Sequence, residues 1–370
     1  MTGLQKWKRT HYANTENVYA KSLEINPNNY CNIAESKWER IMRAAWYDKT
    51  GSAAKVLKVG ELPTPEAGPS EVRVRLAASG VNPADVKLRS GLSSYGYQFP
   101  RVIPNSDGAG IVDQVGRDTD ECLLGKRIWL FNGQRLGRAF GTAAEYIALD
   151  ANLVTPLPDE ISFQEGATLG IPAMTAYHAV FADGPVAGKT ILVTGGAGAV
   201  GFYAVSLATW AGARVIVTVS SDEKAEFALK GGAVATINYR QEDVALKIAE
   251  LTNGNGVARV VSVDFGGDMP WLPDVVALNG HVAAYASDGD PTPSIPFRRF
   301  MARNILIRPF ILNGLSRSSL DAARFGVLSW LTSCPTALRP VAEIFPLEKI
   351  ADAHLFVESG LKRGTVVVEL

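Results

Sequence analysis

The sequence predicts an α/β chain in which a six-stranded parallel sheet, covered by helices, is inserted into a β-rich domain built from both chain ends. Three observations carry this reading. Residues 42–165 hold short strand-like runs separated by glycine and proline, such as Glu71–Val81 and Asp107–Gly116. From 166 to 312 the texture changes to alternating strand-like and helix-like segments. The tail, 313–370, has helix patterns at 317–331 and 348–359 and closes on a strand, Thr365–Glu369, so it is expected to pack back on the first β region.

The inserted region carries strand candidates at Thr190–Thr194, Arg214–Val219, Ala235–Asn238, Arg259–Asp264, His281–Tyr285 and Ile305–Phe310. Apolar runs of this kind, buried on both faces, belong to parallel sheets. Helices are expected to begin near Ala199, Asp222, Glu242 and Met269. Gly212 and Gly231 suit left-handed caps at the ends of the first two.

Composition bounds the function. A chain of 370 residues fits two domains rather than one core. Lysine plus arginine and aspartate plus glutamate are both 37, so no basic excess points to nucleic acid or an anionic membrane. No apolar run reaches the roughly 18 residues that span a bilayer. Cys31, Cys122 and Cys334 are scattered, which suggests neither a disulfide framework nor a metal cluster and suits a reducing, cytoplasmic setting. Residues 1–41 are polar and aperiodic, without the apolar core of a secretory signal. They read as an upstream extension without fixed structure, with Met42 as the functional start; the alternative is a helical docking arm.

The strongest motif lies at Gly196-Ala197-Gly198-Ala199-Val200-Gly201, a G-x-G-x-x-G between a strand and a helix and followed by a second strand. In such a turn Gly196 permits the tight bend. Gly198 lets the backbone approach a pyrophosphate, and Gly201 lets the helix pack closely on the strand. The helix start at Ala199 and Val200 presents free N–H groups and a positive dipole end to phosphate. A merely tight turn would not need all three glycines. The second strand ends at Val219-Ser220-Ser221, with Lys224 one turn into the next helix. A carboxylate there would accept the ribose hydroxyls of NAD, whereas two hydroxyls and an ammonium suit the extra phosphate of NADPH. Asp222 and Glu223 are read as first-turn residues favoured by the helix dipole, with Ser221 as N-cap.

With these residues the chain resembles the zinc-free quinone oxidoreductase and ζ-crystallin family of the medium-chain dehydrogenase/reductase superfamily. The segments that carry the resemblance run over 80–91, 107–116, 141–149, 169–179, the glycine turn, 218–224 and 237–240. It spans essentially 42–370 and implies a GroES-like catalytic domain (42–165 and 313–370) with a Rossmann domain (166–312) that binds NADPH. Zinc-bearing relatives carry a cysteine at the position of Asn82, a His-Glu pair at Ser106-Asp107, and a cluster of four cysteines that is absent here. Asn and Ser are poor zinc ligands. His11, His178, His281 and His354 share no ligand spacing and read as ordinary surface or core residues. No metal is expected.

Without a Lewis acid a simple ketone is poorly polarised, so the expected substrate is a quinone, or an enone taking hydride at its β-carbon. Asn82 is the candidate amide at the nicotinamide–substrate junction; the alternative is a cap before Pro83. Asp85 is expected to orient this loop. Tyr95 and Tyr97 resemble the family's pocket tyrosine, as donors or as an aromatic wall, or are surface-loop tyrosines. The resemblance implies that Thr175 contacts the nicotinamide carboxamide and that Tyr239 lies near the adenosine phosphate. Phe265, Ala284, Tyr285 and Ala286 are expected at the ends of Rossmann strands, giving mainly backbone contacts. Asn105 stands where relatives usually carry glycine, which puts the loop's shape in question. Competing functions are an enoyl thioester reductase of the same fold and a low-turnover NADPH-binding structural or regulatory protein. The last Rossmann strand, at 304–310, is expected at a sheet edge, and the resembling family pairs it with a two-fold mate, so a homodimer is expected.

Overall fold

The computed structural model describes residues 40–93, 99–135 and 137–370. The extension up to residue 39, and with it His11, lies outside the described residues, as do Tyr95 and Tyr97. The periodic pattern at the start of the core is a strand, β1 (Ile41–Trp46), paired antiparallel with β2 (Lys58–Pro63). Met42 is its second, buried residue.

The β-rich domain is built on a seven-stranded sheet. Its strands are β3 (Glu71–Val81), β4 (Asp107–Val115), β5 (Arg127–Leu130), β6 (Tyr146–Asp150), β7 (Val154–Pro156), β14 (Val341–Pro346) and β15 (Thr365–Glu369). Their order is β14-β15-β3-β4-β5-β7, with β6 also paired to β3. The closing strand β15 lies antiparallel beside β3, so the tail does pack back on the first β region. Helix α1 (Pro83–Ser90) follows β3 directly, and Pro83 at its first turn fits a position whose N–H has no intrahelical acceptor.

The inserted sheet has six parallel strands: β8 (Thr190–Val193), β9 (Arg214–Val219), β10 (Ala235–Asn238), β11 (Val257–Ser262), β12 (Val276–Ala284) and β13 (Leu306–Pro309). The order β10-β9-β8-β11-β12-β13 reverses direction between β8 and β11, the crevice where such sheets take ligands. The main helices here are α2 (Met174–Phe181), α3 (Ala199–Trp210), α4 (Asp222–Lys230) and α5 (Val244–Leu251). Helix α3 buries Phe202 through Val205, and Leu207 and Ala208, completely. It is an all-round apolar helix because the sheet covers one side and α2 the other. Further on, α6 (Arg317–Ser333) packs on α2, with Trp330 edge-on to Tyr203 at 5.8 Å. Helix α7 (Ile350–Glu358) lies on β14 and β15.

Three local expectations are corrected. No helix starts at Met269: short helices span Phe265–Asp268 and Leu272–Val275, because Pro273 opens a new first turn instead of continuing the old one. The second helix ends at Gly231 as expected, but this C-cap is right-handed, and the left-handed residue is the next one, Gly232, at φ 104°. Strand β12 starts earlier than His281, since Val276 already pairs with Val257 before the register shifts. Gly212 is left-handed at φ 80°, and β13 pairs only with β12, at the sheet edge. Among the described residues no helix is long and apolar enough to cross a membrane.

Candidate cofactor and substrate site

Strand β8, with Ile191, Leu192 and Val193 fully buried, delivers the chain into the glycine turn. The left-handed residue of the turn is Gly195, φ 64°, and not Gly196. Gly196 is required for a different reason: a Cβ there would lie 2.7 Å from Val217 Cβ on β9. The turn is pinned to β9, since Gly195 N–H donates to Thr218 Oγ1 (3.2 Å) and Gly196 N–H to the Thr218 carbonyl (3.1 Å). At Gly201 a Cβ would overlap the Gly195 carbonyl, so α3 packs directly on its own turn. Gly198, the N-cap, is the least crowded of the three, its hypothetical Cβ meeting only the Gly195 carbonyl oxygen, at 3.3 Å. Beside it the N–H groups of Ala199 and Val200 begin the helix without intrahelical acceptors, a donor set suited to an anion.

The end of β9 carries no carboxylate. Lys224 Nζ donates to Ser220 Oγ (3.1 Å), and Ser221 Oγ accepts from the Lys224 N–H as N-cap of α4 (3.4 Å). Asp222 and Glu223 occupy the first turn, and the Ser221 hydroxyl holds the Glu223 carboxyl below its ordinary range. Tyr239 donates its N–H to the Val219 carbonyl (3.1 Å) and leaves its ring half exposed beside these groups. Sequence reasoning missed Lys362 and Arg363. Gly364 N–H donates to the Ala197 carbonyl (3.1 Å), so the β-rich domain lays this basic segment against the glycine turn. Burial, then the charge of Lys224, brings Lys362 down to about 8.

A second set of buried polar groups surrounds Asn82, which is the N-cap of α1. Its Nδ2 donates to Asp107 Oδ2 (2.7 Å), which also accepts the Ile171 N–H (2.9 Å). Among the described residues Asp107 Oδ1 has no hydrogen-bond partner. Burial, then the charge of Asp85, pushes Asp107 up to about 8, so it is protonated at neutral pH. Asp85 orients the loop: Oδ2 accepts the Asn82 N–H (2.8 Å), and Oδ1 accepts Ser106 Oγ (2.8 Å) and Arg135 Nη2 (2.9 Å). Asn105 takes the left-handed φ of 72° that glycine favours and asparagine tolerates. The replacement therefore retains the turn and adds bonds, Nδ2 to Ser79 Oγ (2.9 Å) and Oδ1 to His354 Nε2 (3.1 Å). Ile171 belongs to a π-helical turn, Leu169–Ala173, that leads into α2, whose first turn holds the buried Thr175.

A cleft of about 700 Å³ opens at the C-terminal ends of β12 and β13. Phe265, Ala284, Tyr285 and Ala286 all line it, joined by Pro291, Pro293, Phe310 and Ile311, and among the described residues no lining residue is charged. His178 meets Phe310 edge-on at 4.7 Å, and burial pushes the Tyr285 phenol up, so it remains a proton donor. Asp264 shapes the rim by accepting the Gly289 N–H (2.9 Å). Lys87 on α1 reaches across to Asp288 on the same rim (2.6 Å). Among the described residues no group of three or more His, Cys, Asp or Glu is placed to hold a metal ion.

Residues 68–159 match the alcohol dehydrogenase GroES-like domain family, and residues 199–325 match the zinc-binding dehydrogenase family. A zinc-type alcohol dehydrogenase-like protein of Schizosaccharomyces pombe is 30% identical over 342 residues, covering 85% of this chain and 95% of that protein. Human quinone oxidoreductase is 28% identical over 324 residues, 85% and 94% respectively. Among solved structures, a mycobacterial protein in complex with NADPH matches at 26% identity and TM-score 0.77, covering 89% of this chain and 100% of that one. An NAD-dependent alcohol dehydrogenase matches at 29% identity and TM-score 0.80, with the same coverage.

Proposed function

The chain belongs to the quinone-oxidoreductase-like family of the medium-chain dehydrogenase/reductase superfamily, and from that premise we propose that it reduces quinones or α,β-unsaturated carbonyls with NADPH, by hydride transfer and without zinc. The observation that carries this is the uncharged cleft of aromatic and proline side chains at the carboxyl ends of β12 and β13. It suits a flat, neutral, conjugated acceptor. An enoyl thioester of coenzyme A would call for basic residues free to hold its phosphates; among the described residues the lining offers none, and Lys87 on the rim is paired with Asp288.

The cofactor fits the residues present. Gly198 leaves a cradle that a Cβ would occupy, and the start of α3 supplies donors for a pyrophosphate. Both an NADPH-bound and an NAD-dependent relative share this fold, so the end of β9 decides between them. Ser220, Ser221 and Lys224 favour a 2′-phosphate, with Tyr239 alongside. When bound, the cofactor supplies the hydride. Thr175 and the backbone of Phe265 and Ala284–Ala286 orient the nicotinamide, and Asn82 holds the junction through Asp107. The protonated Tyr285 is a donor available to a developing enolate or quinol oxygen. At the positions of zinc ligands in relatives the donors are an amide and a hydroxyl, Asn82 and Ser106, and both are poor ligands for zinc.

A screen of NADPH oxidation against quinones, enones and enoyl thioesters, with and without chelator and alongside elemental analysis, tests this reading. Turnover of quinones or enones, unchanged by chelator, is expected. Turnover confined to enoyl thioesters, or stoichiometric zinc lost together with activity, would overturn it.

A further inference from the structure

We infer that Lys362, carried by the catalytic domain, forms with Lys224 a two-ammonium clamp for a phosphate monoester, the 2′-phosphate of the bound dinucleotide. The inference rests on the NADPH reading above and adds a specificity residue from the other domain.

The placement is rigid. Gly364 is left-handed at φ 91°, and a Cβ there would overlap the Pro340 carbonyl, so no other residue fits. Its N–H donates to Ala197 inside the glycine turn, and the next residue, Thr365, donates its N–H to Pro340 (2.6 Å). The segment is thus held between the approach to β14 and the phosphate-binding turn. Two residues before this pin, Lys362 Nζ donates to the Gly364 carbonyl (2.7 Å), so the ammonium is fixed in direction. On the facing side Lys224 Nζ is fixed by Ser220 Oγ. The glycine turn is itself pinned to β9 through Thr218, two residues before Ser220, so the segment fixed at Ala197 and the strand end that holds Lys224 converge on one turn; the charge of Lys224 also lowers the proton affinity of Lys362.

The charge balance suits an anionic ligand. Among the described residues neither ammonium forms an ion pair with a carboxylate. The Glu223 carboxyl is engaged by Ser221 and feels the charge of Arg363. Two like charges held by neutral oxygens are unfavourable alone and become favourable around a dianion. Each ammonium makes one hydrogen bond to the protein and keeps further N–H groups for a ligand oxygen. The pyrophosphate has its own donors at Ala199 and Val200, whereas the end of β9 is where the adenosine ribose lies in this fold. A monoester on that ribose is the anion the pair fits. Since the lysines come from different domains, this phosphate would also tie the closing segment to the glycine turn.

The test is a titration calorimetry series with NADPH, NADH and 2′,5′-ADP on the wild type, Lys224→Ala, Lys362→Gln and the double variant. Gln keeps a donor for the Gly364 carbonyl and removes the charge. Each single change is expected to weaken NADPH and 2′,5′-ADP about ten- to hundredfold, the worth of one charge-assisted hydrogen bond. NADH should stay within about twofold. The double variant should lose less than the product of the singles, because the lysines share one ligand group. The clamp is overturned if Lys362→Gln leaves NADPH unchanged while Lys224→Ala weakens it. It is overturned too if Lys362→Gln weakens NADH as much as NADPH, which would mark a pyrophosphate contact or a folding defect. A wild type with no preference for NADPH over NADH would remove the cofactor assignment and the clamp together.

Discussion

His354 links acid stability to the loop that carries Ser106 and Asp107. It is fully buried on α7, donates Nε2–H to Asn105 Oδ1, and among the described residues has no partner at Nδ1. Burial, then the charge of Arg89, lowers it from 6.5 to about 3. Arg89 is itself buried on α1 and bonded to Glu358 of α7, so an imidazolium would form beside a guanidinium. Because the folded pKa is depressed, the stability involved is fully present above the unfolded value of about 6.5 and is lost as pH falls toward 3. At about 1.4 kcal/mol per pH unit, the loss by pH 5 is about 2 kcal/mol. In His354→Gln the amide still donates to Asn105 and does not titrate. Asp107 shifts in the opposite sense and is common to both proteins, so it cancels in the difference. Urea unfolding of both at pH 8, 7, 6 and 5 should show the wild type's advantage over the variant shrinking by about 2 kcal/mol, nearly all of it below pH 6.5. A gap that stays constant down to pH 5 would refute the assignment of a neutral, proton-poor His354.

Gly201→Ala should drive its methyl into the Gly195 carbonyl, lower stability by about 1–3 kcal/mol as overpacking does, and weaken NADPH and NADH alike in calorimetry. An alanine variant with wild-type affinity for both would show that α3 can retreat from its turn at no loss. At the sheet edge, β13 exposes Leu306, and edge pairing predicts a dimer by light scattering at micromolar concentration. Replacing Leu306 and Ile307 with lysine should shift that dimer toward monomer; a dimer untouched by the change would place the interface elsewhere.

The parallel sheet was legible because its strands are short apolar runs buried on two faces and bounded by glycine or polar residues, as in Ile191–Val193. The glycine turn was legible by spacing. Spacing does not encode backbone handedness, however, so it missed that Gly195 bends the chain while Gly196 only makes room for Val217. The helix expected at Met269 failed for a local reason visible in hindsight at Pro273. Lys362 was not legible at all, and His354 only as an ordinary surface or core residue. One matters because a strand pairing brings it back to a turn far upstream, and the other because burial, not its neighbours in the chain, sets its chemistry. Asn105 lay between these cases. The substitution for glycine was visible, and the left-handed backbone that rationalises it was not.

The pairing of β15 with β3 has a consequence for how the protein is made. Val81 lies opposite Val366, with the whole inserted domain between them in the chain. On a ribosome, β3 is therefore synthesised long before the strand that covers that side of it, while the parallel-sheet domain has all its own strands available earlier. Contacts of such sequence separation form slowly, and domains fold as units during synthesis. The inserted domain is expected to be native first and to act as a scaffold that returns the last residues to an open strand edge. Until the closing strand arrives, that edge is the part of the nascent chain most open to pairing with a wrong partner.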